Sequence, residues 1–351
     1  MSTFLPECSI SPNLLTIIIT TSPVPSAPSP GLIKNTLASL PDSLSEVPIV
    51  ITFDNFTVAL HKRSRLKKGC VTQDLADRYP AYIENVRKLF GDVACSSDDP
   101  TCSISSSLNR DVTFLVLKKR NGFAFCIKAA LDYVKTPYVM IVQHDWLFIF
   151  HPPISHLLSI LQTEDEVQYI AFLARMSLNY ETSKCHTHRY YQHIFSQARN
   201  LRSDRPLSND LVACLHWFDR PHLCSVETYR QIFAMPMLKR GDFIEDTFGT
   251  AYMQSMRDAP TKEAAFEKWK KWGAWMFYSG NGKKVTVGHQ HGRMNLLGER
   301  QEERIKNMIK LNMQNHAALA GEENGILSET NNVIDGFSVD IEQGDFTLFF
   351  K

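Results

Sequence analysis

Short apolar runs rich in β-branched residues alternate along this chain with longer segments whose apolar positions recur every three to four residues. The run LLTIIITT at 14–21 is apolar on both faces, which predicts a parallel strand covered by helices on each side. The proline-rich SPVPSAPSP after it excludes regular structure. Helical spacing returns over 31–40, through Leu32, Ile33, Thr36, Leu37 and Leu40, and residues 47–53 predict a second buried strand ending at Asp54. Strand, helix, strand is the βαβ unit, and its sheet is expected to be parallel.

The same alternation continues. A basic loop at 61–68 leads into a predicted helix at about 72–90, and the polar run CSSDDPTCSISSS reads as a surface excursion. Residues 112–117, 122–134 and 137–142 then give strand, helix and strand. A further strand is predicted at 167–173. Segment 179–209 is too long and polar for a plain connection and reads as a loop or lid. Residues 212–218 read as extended, 225–234 as a helix capped by Ser225, 245–257 as a helix, and 285–291 as a short strand running into Gly292. The end of the chain predicts a charged helix at 301–319 and extended pieces at 337–341 and 346–350. The expected fold class is therefore α/β: a Rossmann-like, mostly parallel sheet flanked by helices over 14–295, with a helical and extended C-terminal extension at 296–351.

Composition removes some partners. With 38 Lys+Arg against 37 Asp+Glu the net charge is +1, so no field gathers nucleic acid or an anionic membrane, and an anionic ligand must be held locally. No apolar run approaches the roughly 18–20 residues that span a bilayer, and MSTFLPECSISPN lacks the basic and apolar regions of a leader, so a soluble cytoplasmic protein without a transmembrane segment is expected. The eight cysteines show no CxxC pair and are expected to be free thiols.

Ligands of open parallel sheets bind beyond the carboxyl ends of the strands, so Thr20, Thr21, Asp54, Lys118 to Asn121, His144 and Asp145 are expected to line one crevice. A carboxylate at the place of Asp145 can hold a divalent cation that bridges two phosphate oxygens. The stretch KKRNGFAFCIKAALDYVKTPYVMIVQHDW resembles the part of GT-A glycosyltransferases, family 2 above all, in which a helix and a strand lead into a DxD motif. The resemblance covers about 14–293. It implies a nucleotide-binding half at about 14–146, an acceptor half at about 147–295, and Asp145 as the closing, metal-binding acid. The chain departs from the pattern at Gln143, where the first acid would stand, and His144 is the residue placed to compensate.

The resemblance further implies that Asp54 reads the nucleotide base beside Thr20 and Thr21. It also implies that Lys118, Lys119 and Arg120, with Asn121, meet the diphosphate. A strand-end turn former and a solvated basic loop are the alternative readings of those residues. In GDFIEDT, Asp246 with its neighbour Glu245 matches the catalytic base of inverting relatives, a role that sequence cannot separate from helix capping. In GHQHGR, His289 and His291 share one face of a strand. His291, beside Gly292, is the preferred third metal ligand, and Arg293 follows toward the phosphates. Trp217 reads either as a stacking face for a sugar or as core.

The implied function is a hexosyltransferase-like enzyme using Mn²⁺ or Mg²⁺. Its partners would be a nucleotide-sugar donor, UDP-sugar favoured, and a glycan, protein or small-molecule acceptor, with no nucleic acid. Two other readings remain at this point. One is a metallohydrolase built on His144, Asp145, His289 and His291; the other is a non-catalytic module that binds nucleotide sugars.

Overall fold

The computed structural model describes residues 9–290 apart from 60–68 and 205–209, together with Gly292 and isolated helical positions between 303 and 314. The basic loop at 61–68, His291, Arg293 and the predicted extended pieces of the tail lie outside the described residues.

Four strands form the centre of the sheet: β1 (Leu15–Thr21), β2 (Ile49–Phe53), β7 (Val112–Leu117) and β8 (Tyr138–Gln143), all parallel, in the order β7-β2-β1-β8. Every residue of β1 and β2 is buried, as their unbroken apolar runs require. Helices α1 (Gly31–Ala38), α2 (Gln73–Lys88) and α3 (Gly122–Leu131) connect and cover them. Thr72 Oγ1 caps α2 by accepting from the Leu75 N–H. Helix α3 packs on β1 and β2 through Phe123, Ala124, Ile127 and Ala130. Each large aliphatic side chain buried in this way contributes about 1.5–3 kcal/mol.

The sheet continues on both sides into ten strands. Beyond β7 lie β5 (Val93–Asp98) and β6 (Cys102–Ser107), an antiparallel hairpin made from the polar run expected to be a surface excursion. An edge hairpin has to bury one face only, so a serine-rich sequence can form it. Beyond β8 lie β12 (His222–Ser225), antiparallel to it, then β10 (Tyr169–Phe172), β13 (Ala274–Phe277) and β11 (Leu211–Ala213). Counting directions through these pairings, seven of the ten strands run with β1. The expected α/β sheet flanked by helices is thus the observed one.

Helices α4 (Ile154–Thr163), α7 (Val226–Ala234), α8 (Thr250–Arg257) and α9 (Lys262–Lys270) complete the layers. The expected cap of α7 is present, Ser225 Oγ accepting from the Thr228 N–H. The segment expected to be a loop or lid instead holds two helices, α5 (Tyr180–Lys184) and α6 (Tyr191–Leu201). Tyr191, Ile194, Phe195 and Ala198 of α6 turn inward at helical spacing within an otherwise polar sequence. A two-residue pair, β3 (Thr57–Val58) with β4 (Cys70–Val71), flanks the 60–68 segment. Most relevant to function is the small sheet of β9 (Trp146–Phe148) and β14 (Val287–His289), which lays the segment after Asp145 against the histidine segment. Cys102, Cys126, Cys214 and Cys224 are free and buried, Cys70 and Cys185 free and half-buried. No helix among the described residues is long and apolar enough to cross a membrane.

Candidate functional site

The carboxyl ends of β1, β2 and β8 meet at one edge of the sheet. The His144 N–H donates to Thr20 O (3.1 Å) and the Asp54 N–H to Thr21 O (3.0 Å), so each strand end is fastened to its neighbour just past the ladder. The buried His144 accepts at Nδ1 from the Ser22 N–H (3.3 Å), which leaves the proton of a neutral ring on Nε2. Its carbonyl accepts from Thr36 Oγ1 of α1 (2.8 Å). The ring therefore fixes the start of the loop after β1.

Asp145 comes next and is 7% exposed. Its carbonyl accepts from the Gln290 N–H (2.7 Å), and its Oδ2 lies 3.2 Å from His289 Nε2. The register of the small sheet, Trp146 opposite His289, makes this contact, with the Trp146 ring edge-on to the imidazole at 5.0 Å. Gly292 passes so close that a Cβ there would meet Leu32 at 2.7 Å and Asp145 Oδ2 at 3.4 Å. A side chain at 292 would displace the tip of Leu32, while the Asp145 carboxylate would stay at ordinary contact distance.

On the opposite side of the crevice Asp54 is engaged by the backbone. Oδ1 accepts from the N–H groups of Asn55 (2.9 Å) and Asn121 (2.7 Å), and Oδ2 from that of Gly122 (2.9 Å). Burial raises its pKa, against the three N–H donors and the Arg120 guanidinium, which lower it. This carboxylate thereby holds the first turn of α3 to the end of β2. Lys118 and Lys119 are exposed. Arg120 lies across two glycines in left-handed conformations: a Cβ on Gly69 would fall 1.8 Å from its Nε, one on Gly241 3.3 Å from its terminal nitrogens. Asn121 donates from Nδ2 to Lys119 O (2.9 Å) and shapes the same loop.

The acidic turn is brought to this edge by two clamps. The Gly241 N–H donates to Asn121 O (2.6 Å), and a Cβ on Gly122 (φ +73°) would meet Gly241 Cα at 2.5 Å, so backbone rests on backbone there. From the other side, Gly249 sits on the 216–217 loop, where a Cβ would lie 2.6 Å from Trp217 O. Between them, Glu245–Gly249 forms a π-helical turn leading into α8, with Asp246 exposed in its first turn. Such turns are frequent at functional sites. The Glu245 N–H is accepted by Asp219 Oδ1 (3.1 Å), and the Asp219 N–H is accepted by Glu245 Oε2 (3.1 Å).

Asp219 escaped the sequence reading, because only tertiary pairing reveals its role. Trp217 is fully buried among Tyr169, His222, Tyr229 and Phe248, which makes it core and removes it as a stacking face for a sugar. Nearby, Arg220 is buried over the Phe218 ring (4.0 Å) and donates to Ser177 Oγ (2.6 Å). Burial lowers its pKa.

The structure thus groups the expected residues in pairs. Thr20 joins His144, Thr21 joins Asp54 and the Arg120–Asn121 loop, Asp145 joins His289, and Glu245 with Asp246 is tied to the end of β8 through Asp219. Among the described residues no three His, Cys, Asp or Glu side chains come together as a metal cluster. The Asp145–His289 pair still fits a divalent cation. Carboxylate and imidazole are suitable donors, and their 3.2 Å separation is close to the roughly 3 Å between neighbouring donors of an ion that binds each at about 2.1–2.2 Å.

No family model matches the chain, and no curated protein matches it. Among solved structures it is similar to TarS of S. aureus, with a TM-score of 0.27 and 12% identity over 46% of this chain and 22% of that one. The chain thus spans about a fifth of that relative's length. It is similar also to a mannosyltransferase from Pyrobaculum calidifontis in complex with GDP-Man and Mn²⁺, with a TM-score of 0.39 and 12% identity over 92% and 79% of the two chains. A third is glucosyl-3-phosphoglycerate synthase from Mycobacterium tuberculosis, in complex with Mn²⁺, UDP and glucosyl-3-phosphoglycerate, with a TM-score of 0.33 and 12% identity over 86% and 80%.

Proposed function

We propose that this chain is a metal-dependent glycosyltransferase of the GT-A kind. It would move a sugar from a nucleotide-diphosphate donor, UDP-sugar favoured, to an acceptor hydroxyl with inversion. The observation that carries the reading is the Asp145–His289 pair at the end of β8, tied through Gln143 and Asp219 to the turn that bears Glu245 and Asp246.

In this reading Asp145 and His289 hold Mn²⁺ or Mg²⁺, with His291 and Arg293 following along the same segment. When bound, the ion supplies Lewis-acid stabilisation of the departing diphosphate. Lys118 and Arg120 neutralise the same group from the crevice wall. Because Asp54 already occupies the N–H groups of Asn121 and Gly122, the α3 terminus contributes position there and the cationic side chains contribute charge. Thr20, Thr21 and His144 shape the floor, and Asp54 lies at its nucleotide end. Asp246, exposed in the first turn, accepts the proton of the acceptor hydroxyl as the sugar transfers, and Glu245 holds the turn in place.

Nucleotide release from UDP-, GDP- and CMP-sugars, with and without Mn²⁺, tests this reading. Turnover of one class that requires metal is expected. Asp246→Asn should lower turnover at least ~10²-fold with donor affinity nearly unchanged, since an amide keeps the shape and cannot take the proton. Saturable binding without turnover would leave a non-catalytic module, and metal-dependent cleavage of unrelated esters a hydrolase.

A further inference from the structure

Gln143 stands where the resembled motif carries its first acid, and the structure gives it other work. Its Nε2 donates to the carbonyl of Asp219 (3.0 Å). Asp219 in turn donates its N–H to Glu245 Oε2 and accepts at Oδ1 from the Glu245 N–H, both at 3.1 Å. Three hydrogen bonds therefore run without interruption from the last residue of β8, two positions before Asp145, to the turn that carries Asp246.

The middle of this chain is held firmly. Tyr169 Oη donates to Phe218 O (3.0 Å) and accepts from the Phe218 N–H (3.2 Å). Arg220 is anchored on Ser177, while His222 Nδ1 donates to Arg220 O (2.6 Å) and its Nε2 accepts from Tyr229 Oη. Gly249 packs against Trp217 O from above. Asp219 is 5% exposed and has little room to move.

We propose that Gln143 and Asp219 are positioning residues that set the place of the Glu245–Asp246 turn relative to the Asp145–His289 pair. The proposal rests on the glycosyltransferase reading for what the positioning achieves. The chemistry accounts for the departure at 143: the partner is a carbonyl oxygen beside two carboxylates, so the brace needs a donor, and an ionised acid has none to give. Loss of the brace should act on the chemical step, because a displacement of about 1 Å can cost ~10²-fold in rate.

Two measurements on the full chain test this. In hydrogen–deuterium exchange, Gln143→Ala should speed exchange of the peptide covering 244–250 while β1 and β2 stay protected, whether or not the protein turns over. In kinetics, Gln143→Ala and Gln143→Glu should lower kcat by ~10–100-fold, with donor KM and the half-saturating Mn²⁺ concentration within about twofold of the parent. Asp219→Ala should do the same and Asp219→Asn should recover most of the loss, since its amide oxygen still accepts from Glu245.

A Gln143→Ala protein with unchanged exchange at 244–250 overturns the brace. A variant with normal kcat but raised donor KM or metal requirement overturns the positioning role, since Gln143 would then be meeting the ligand itself. A parent protein with no metal-dependent turnover of any nucleotide sugar sinks the glycosyltransferase reading, and the exchange result still decides whether the brace exists.

Discussion

Asp54 receives three backbone N–H groups on two oxygens while buried at the end of β2. Asparagine keeps the shape but offers one acceptor atom, so at least one of those N–H groups would face an NH₂. Asp54→Asn is expected to destabilise the fold by about 1–3 kcal/mol, the cost of a buried donor left unmade. Urea denaturation measures this, and a change within a few tenths of a kcal/mol would mean that the carboxylate is free for a ligand instead. His222 makes a different kind of prediction. Burial pushes its pKa down from 6.5 to about 3, with Arg220 O accepting from one ring nitrogen and Tyr229 donating to the other. The unfolded chain takes up a proton below about pH 6.5 and the folded chain does not until about pH 3. Stability from this group is therefore complete above about pH 6.5 and falls as pH drops through that window, by up to ~1.4 kcal/mol per unit. Burial shifts His156 and His216 the same way and steepens the fall. A histidine NMR titration checks the assignment: the His222 ring should remain neutral at pH 5, and a midpoint near the ordinary value would refute it.

The elements that position the site differ in how openly the sequence shows them. Strands β1, β2, β7 and β8 were legible because a strand buried on both faces has to be written as an apolar run, and Asp54 and Asp145 were legible because the first directly follows such a run and the second stands two residues past the end of another. The β5–β6 hairpin was hidden, since one solvated face admits serine and aspartate. Helix α6 was masked by a polar face that outnumbers its four buried residues. The contact of His289 with Asp145 depends on the register of β14 against β9, and nothing local in either segment encodes it. The role of Asp219 depends likewise on two loops meeting. Gly249 tests how tightly that meeting is specified. It is helical, so alanine suits its backbone, yet a Cβ would lie 2.6 Å from Trp217 O and 2.9 Å from the His216 ring. Gly249→Ala should therefore push the Glu245–Gly249 turn off the 216–219 loop. The expected result is a loss of turnover near ~10²-fold alongside a melting temperature lowered by only several degrees. Equal, small changes in both would mean that the turn has room to adjust.

At the scale of the whole molecule, the crevice lies where two stretches of chain complete one sheet. Strand β8, from the first of them, pairs on one edge with β1 and on the other with β12, which comes some eighty residues later. Strand β9 pairs with β14 still further on, and Gly122 of α3 bears directly on Gly241. The buried core is continuous from β7 to β13 across this seam. Cutting it would bare the edge of β8 and separate Asp145 from His289 and from the turn that bears Asp246. A functional division at about residue 146 should consequently have no counterpart in folding. Thermal unfolding by calorimetry is expected to show a single transition for residues 9–290, with the calorimetric and van't Hoff enthalpies equal. In the glycosyltransferase reading proposed above, UDP with Mn²⁺ at about 100 times its dissociation constant should move that transition as a whole, adding ~2.7 kcal/mol. If the front segment alone shifted with nucleotide while a second transition stayed in place, the halves would be separate folding units, and the seam would be an interface instead of a shared core.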